Sequence, residues 1–408
     1  MDSNKFGKTI FKLRKKRNMT QSKLASLLNI TDKTVSKWEN GVGFPDVAML
    51  PKLSRIFGVS IDYLINDGTS GITIAGIISS ESIHIMKQFP THETPAEIID
   101  TIYTVGGCVS LVSVNLTKID RGITVVPIGK VGNDEKGREL LSALSSYGLY
   151  TGKIKRDSSV KTAYSTINFE NVTKKRIFSY FNEANDAFNE NDIVPDELDC
   201  KIFHIGYVPM LKSLDSPDKN YGTKLAALLR QISLNGIKTS ISVATRSDIH
   251  FFKKIFPVLK YTDYAIMDEW ECCKIGGGLA RMPDRSLKTD VIKNSMKKLF
   301  EYGVREKVIV LCWECSFIMN ANGDFYSCPA YITGGENLKG TFGFREAFEA
   351  GCLYALYSGY DDKDILEFAL MASACSMTEF DALSGMKSAD EIKYMLKNNY
   401  FRNEKEIK

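Results

Sequence analysis

The chain has 408 residues, 44% apolar and 25% charged, with a formal net charge of +4, which leaves room for two or three domains and at least one large core. No apolar run approaches the roughly 18 residues that a membrane span needs, and the opening MDSNKFGKTIFKLRKKRN lacks the apolar segment of a secretory signal. Nine cysteines without disulfide-type spacing are expected to stay reduced in the cytoplasm, and no metal site is expected.

The charge is uneven. The first 67 residues hold twelve Lys+Arg against six Asp+Glu, a net of +6, whereas the other 341 carry −2. A basic head on a neutral body fits either a polyanion partner or a solvated basic face.

Apolar residues in the head recur at helical spacing. Phe6–Arg17 is expected to be helical, with Ile10 and Leu13 inward and Lys12, Arg14, Lys15, Lys16 and Arg17 outward. Thr20 caps a second helix, Gln21–Leu28, ended by Asn29. Thr31 or Asp32 opens a third, running to Asn40, with Val35 and Trp38 inward and Lys33, Thr34, Ser36 and Lys37 outward. Two short helices, Val47–Phe57 and Ile61–Ile65, complete the segment. Two helices joined by a tight turn, the second rich in basic and small polar residues, describe a helix-turn-helix.

The string TQSKLASLLNITDKTVSKWENG resembles the Cro/repressor-like (XRE) family. The resemblance implies that Asp32–Asn40 lies in the major groove of double-stranded operator DNA. Lys33, Thr34, Ser36 and Lys37 would face the bases, Gln21 a phosphate or base edge, and Arg14 and Lys15 phosphates. A homodimer on a two-fold site is the corresponding expectation. A helical bundle used only for protein contacts is the competing reading.

A domain of residues 1–67, a linker at 68–71 within a polar, Gly-containing break, and a second domain at 72–408 follow from the change of pattern. Beyond the break, ITIAGII (72–78), ITVVPIG (123–129), KIFHIGY (201–207), KTSISVA (238–244), DYAIM (263–267) and KVIVLCW (307–313) read as strands. Amphipathic stretches ending near glycines lie between them. This alternation predicts a doubly wound α/β domain with a mostly parallel sheet. Residues 160–182 alternate with period two like a hairpin, and lid segments are expected at about 82–104 and 158–185.

Five strings, VGGCVSLVSVNL, VPIGKVGNDEKG, YFNEANDAF, IMDEWE and KGTFGFREAFEAG, resemble in their order the PfkB, or ribokinase-like, sugar kinases over about 72–395. Active members close the phosphoryl site with D-T-x-G-A-G-D, whose glycines let backbone N–H groups wrap the transferred group and whose last Asp is the base. Here Gly343 keeps the first glycine, Phe344 replaces Ala, Arg345 replaces the second Gly, and Glu346 replaces the catalytic Asp. On the nucleotide side Trp313 and Ser316 stand where glycines belong, and N-x-x-E, associated with magnesium and phosphate, becomes Asp268-x-x-Glu271. In the sugar pocket Glu81 stands for Asp, Leu111 follows Gly106 and Gly107 in place of Asn, and Asn185 survives from G-A-N.

These departures point away from phosphoryl transfer. A transcriptional regulator is expected, its kinase-like body sensing a sugar, sugar phosphate or nucleoside, or holding two heads together. No cofactor is then expected. The alternative, an active carbohydrate kinase carrying a DNA-binding module, would use ATP and magnesium. Arg345 could hold a phosphate, or form an ion pair with Glu346 or a neighbour. Cys312-x-x-Cys315 and Cys328 read as buried thiols, since zinc would want a second pair or histidines. His204 reads as a packed core residue.

Overall fold

The computed structural model describes residues 3–57, 59, 61–65, 71–173, 175–244, 250–331, 338–398 and 400. The polar break at 66–70 and the charged tail at 403–408 lie outside them. The chain divides into two units, Met1–Gly71 with Arg121–Thr124, and Ile72–Asp120 with Val125–Lys408.

The first unit consists of helices Ser3–Lys16, Gln21–Leu28, Asp32–Glu39, Leu50–Phe57 and Ile61–Ile65. The helix-turn-helix is set by its caps. Thr20 accepts from the Lys23 N–H, Asn29 closes the helix in the left-handed region at φ 55°, and Thr31 accepts from the Thr34 N–H. Phe6, Ile10, Leu24, Leu28, Val35 and Trp38 then meet in one core. A Cβ at Gly7 would lie 2.1 Å from the Trp38 carbonyl oxygen, so the first helix can approach the third this closely only with glycine there.

The second unit is built on an eight-stranded sheet. Its order is Phe325–Pro329, Cys315–Asn320, Lys307–Leu311, Tyr264–Asp268, Lys238–Val243, Cys200–Val208, Gly71–Gly76 and Val125–Ile128. The strands from Lys307–Leu311 to Cys200–Val208 pair in parallel, as do Gly71–Gly76 and Val125–Ile128. Their near-continuous burial is what apolar runs covered on both faces give. Cys315–Asn320 and Phe325–Pro329 are antiparallel additions that the sequence pattern did not announce. Cys312, Trp313 and Glu314 therefore form the tight turn of a β-hairpin.

A second, four-stranded sheet orders Ile98–Gly106, Ser79–Met86, Tyr164–Glu170 and Arg176–Phe181. Its central pair is parallel and its outer pairs antiparallel. The expected hairpin over 160–182 is thus one half of a mixed sheet. Ile83, Ile85, Ile167 and Phe169 bury one face, with Ile102, Phe342 and Phe380 packed against them.

Candidate functional site

In the head, Lys33 and Lys37 are exposed on the third helix, with Thr34 and Ser36 half-buried beside them. Lys15 is also exposed. Arg14 departs from its expected outward position. It is buried, its Nε and Nη2 donating to the two Glu39 carboxylate oxygens at 2.6 and 2.8 Å and its Nη1 to the Met19 carbonyl at 2.7 Å. That bidentate pair ties the first helix to the third and removes Arg14 from any phosphate contact. Gln21 donates to Glu39 at 2.8 Å, so its amide helps fix the same junction.

In the body, the Phe344–Ser358 helix starts at Gly343, whose φ of 73° lies in the left-handed region and whose Cβ would stand 2.0 Å from that of Ala382. Arg345, in the first turn, is the centre of a cluster. Its Nη1 and Nη2 donate to both oxygens of Glu271 at 3.0 and 2.8 Å, and its Nε donates to Glu349 at 3.2 Å. Nη2 also reaches the Val243 carbonyl, and Asp268 Oδ2 lies 3.6 Å from Nη1. Burial works against the charge on Arg345, but Glu271 and Glu349 outweigh it and hold the guanidinium firmly protonated. Glu271 has a second duty: it shares a capping box with Asp268 at the start of the Glu269–Gly276 helix. Burial raises the Glu271 carboxyl and lifts that of Glu349 to about 8, with Arg345 opposing both shifts.

Two cavities adjoin this cluster. The first, about 330 Å³, is walled by lid aromatics such as Tyr164, Phe178 and Tyr180, and by Leu111, Gly107, Tyr207 and Glu81. Burial lifts the Glu81 carboxyl to about 8 against hydrogen bonds from Ser165 and Ser79, with Glu346 adding to the rise. Gly106 stands behind Glu81, where a Cβ would meet the carboxylate carbon at 1.9 Å. The second cavity, about 420 Å³, is lined by Trp313, Phe344, Gly343, Trp270 and Glu269. Phe178, Asp268, Phe342, Arg345 and Glu346 border both. Glu346 accepts a hydrogen bond from the Tyr207 hydroxyl.

Three residues expected at these pockets, Gly106, Asn185 and Ser316, line neither cavity. Asn185 spends its amide on the Ile78 backbone, accepting from its N–H and donating to its carbonyl, both at 3.1 Å. Ser316 is fully buried in the Cys315–Asn320 strand of the hairpin. Tyr207, Glu349 and the Val243 carbonyl were missed by sequence reasoning. Glu349 carried a usable signal, its i,i+4 spacing from Arg345; Tyr207 and Val243 carried none, because the sheet alone brings them to the helix.

A helical, XRE-type helix-turn-helix region followed by a ribokinase-like α/β body is the class that this architecture defines. A helix-turn-helix family model matches residues 10–64, and the pfkB family carbohydrate kinase model matches residues 72–389. The chain belongs to the pfkB carbohydrate kinase family. A 5-dehydro-2-deoxygluconokinase of Listeria monocytogenes is 23% identical over 305 residues, covering 72% of this chain and 86% of that protein. The HTH-type transcriptional activator BcrR of Enterococcus faecalis is 39% identical over 70 residues, 17% of this chain and about a third of that activator (34%). Among solved structures, Arabidopsis thaliana ribokinase complexed with ribose and ATP superposes with a TM-score of 0.64 at 14% identity, covering 81% of this chain and 99% of that one. A Burkholderia thailandensis nucleoside kinase in complex with inosine gives 0.61 at 14% identity, covering 81% and 97%.

Proposed function

We infer that the chain is a cytoplasmic, DNA-binding transcriptional regulator whose kinase-shaped body does not transfer phosphoryl groups and serves as a metabolite sensor or dimerising scaffold. One observation carries this reading: a guanidinium stands where the family closes bare backbone around a phosphoryl group, and it engages Glu271 and Asp268. Those are the carboxylates expected to serve magnesium and phosphate. With Glu271 clamped in a bidentate pair, they do not fit a magnesium–ATP complex, and no step through one is derived. Arg345 also puts a long side chain where the family's turn has a bare glycine.

The first cavity supports a sensing role. Its 330 Å³ falls in the range of about 300–1,000 Å³ typical of small-molecule pockets, largely apolar with a few convergent polar groups. Arg345 has its donors occupied by protein oxygens, which favours an uncharged sugar or nucleoside over a sugar phosphate. Exposed Ile98, Ile99 and Tyr103 on one edge of the lid, and Ile177, Phe178 and Tyr180 on the other, favour a second copy of the chain as partner. Ligand binding alters operator occupancy only insofar as it favours one dimer arrangement over another.

A thermal-shift screen of sugars, nucleosides, sugar phosphates and magnesium–ATP, followed by operator binding with each hit, tests the reading. A shift with an uncharged ligand and an altered operator affinity supports sensing. Operator binding with no ligand response leaves the scaffold, and loss of all DNA binding contradicts both.

A second reading, an active carbohydrate kinase carrying a DNA-binding module, draws on Glu346 alone. Its carboxylate borders both cavities, where a base between acceptor and donor would sit.

A further inference from the structure

Cys108 on the Gly107–Ile119 helix, His204 on the Cys200–Val208 strand and Glu349 on the Phe344–Ser358 helix meet in the interior, each 0% exposed. Their sulfur, nitrogen and oxygen atoms all lie within 4.8 Å of one another. His204 Nδ1 is 2.9 Å from the Ser240 hydroxyl, so Nε2 faces Glu349 Oε2 at 3.9 Å and the Ser242 hydroxyl at 3.4 Å. That same hydroxyl is 4.0 Å from Cys108 Sγ. Glu349 Oε2 is fully buried and has no hydrogen-bond partner. A buried carboxylate oxygen is costly to leave this way, and neither DNA binding nor the kinase-type site uses it.

We propose that this triangle binds one zinc ion through Cys108 Sγ, His204 Nε2 and Glu349 Oε2, with the Ser242 hydroxyl as the fourth ligand. Zinc takes sulfur, nitrogen and oxygen at about 2.0–2.3 Å in a tetrahedron. The separations, none above 4.8 Å among the three, need a contraction of about 1.5 Å or less to reach the edges of that tetrahedron. One thiolate and one imidazole select a borderline-soft ion and disfavour magnesium and calcium, which take oxygen ligands. The outer contacts are also those of a metal site. Ser240 engages the far nitrogen of His204, and Arg345 Nε donates to the other Glu349 oxygen at 3.2 Å.

Charge balances as well. Binding displaces two protons to solvent, one from the Cys108 thiol and one from the Glu349 carboxyl, and thiolate plus carboxylate then offset the two positive charges of zinc. The nearby Arg345 is neutralised separately by Glu271. With four ligands from the chain the site is closed and structural. It ties a central strand to the two helices on which the kinase-type site is built.

The test is metal analysis of the untagged full chain, purified from zinc-supplemented cells and dialysed against a weak chelator. About one zinc per chain is expected, as for a structural site, falling at least tenfold in Cys108→Ser and Glu349→Gln. Cobalt substitution should give a thiolate charge-transfer band that Cys108→Ser removes. X-ray absorption at the zinc edge of the unaltered chain, which does not depend on the variants folding, should show one sulfur among nitrogen and oxygen neighbours. Absence of stoichiometric zinc, or zinc retained in Cys108→Ser, overturns the assignment. So does a shell with two or more sulfurs, which would move the ion to Cys312 and Cys315.

Discussion

Arg345 and Glu271, 74 positions apart, form a bidentate ion pair at 3.0 and 2.8 Å in which the carboxylate is almost wholly buried. A positively charged side chain thereby sits among acidic groups that the family resemblance assigns to magnesium and phosphate. The pair is both the lock on the site and a load-carrying part of the body's core.

Removing one partner should therefore destabilise the fold. Arg345→Ala leaves Glu271 and Glu349 without their cation, and breaking a buried pair in this way costs about 3–5 kcal/mol. Chemical denaturation should show a loss of this size, with part of it recovered in the Arg345→Ala/Glu271→Ala double variant. Full additivity of the two single losses would mean that the pair is not coupled.

Glu81 should make stability depend on pH. Its carboxyl is lifted to about 8 by burial, with Glu346 adding and Ser165 and Ser79 opposing, whereas an unfolded glutamate titrates at about 4.3. A raised carboxylic pKa means that the folded state holds the proton more tightly. Its stabilisation is present in full below the unfolded value and is lost as pH rises through about 8. Denaturation midpoints should fall between pH 5 and pH 8.5, and Glu81→Gln should flatten that slope.

Only glycine fits behind that carboxylate, since a Cβ at Gly106 would meet Glu81 at 1.9 Å. Gly106→Ala should displace Glu81 and abolish the thermal shift given by any ligand of the first cavity. An undiminished ligand shift would remove Glu81 from the binding wall.

In the head, Lys33→Ala and Lys37→Ala should weaken operator binding while leaving the fold intact, by about 1–3 kcal/mol for a lost base contact. Loss of a phosphate contact should instead lower the salt slope by roughly one. Arg14→Ala should behave differently, costing about 3–5 kcal/mol of stability in the head because it strands the buried Glu39. Circular dichroism melts beside binding isotherms separate the two cases.

Much of this was legible in the sequence because it depends on local order. The cap at Thr20 and the helical spacing of Leu24, Val35 and Trp38 fixed the head, with the next cap narrowed to Thr31 or Asp32 and taken by Thr31. Continuous apolar runs marked the parallel strands, and Arg345 drew notice by its bulk in a glycine position. What escaped depends on distant chain segments meeting. Arg14 looked like one of several outward cations in KLRKKR, and only Glu39, brought alongside by the turn, draws it inside. Asn185 and Ser316 were placed by motif position, yet one pins the Ile78 backbone and the other lies buried in a hairpin strand whose existence the apolar pattern had not distinguished. The Cys108–His204–Glu349 convergence joins three elements and has no spacing in sequence to betray it.

Phosphoryl transfer is the most direct test of the clamped site. The purified chain, incubated with magnesium–ATP and a panel of sugars and nucleosides and followed by product mass, should yield no phosphorylated compound, and magnesium–ATP should give no thermal shift. Sustained formation of a phosphorylated product, abolished by Glu346→Gln in a folded protein, would contradict it and make the chain a working kinase.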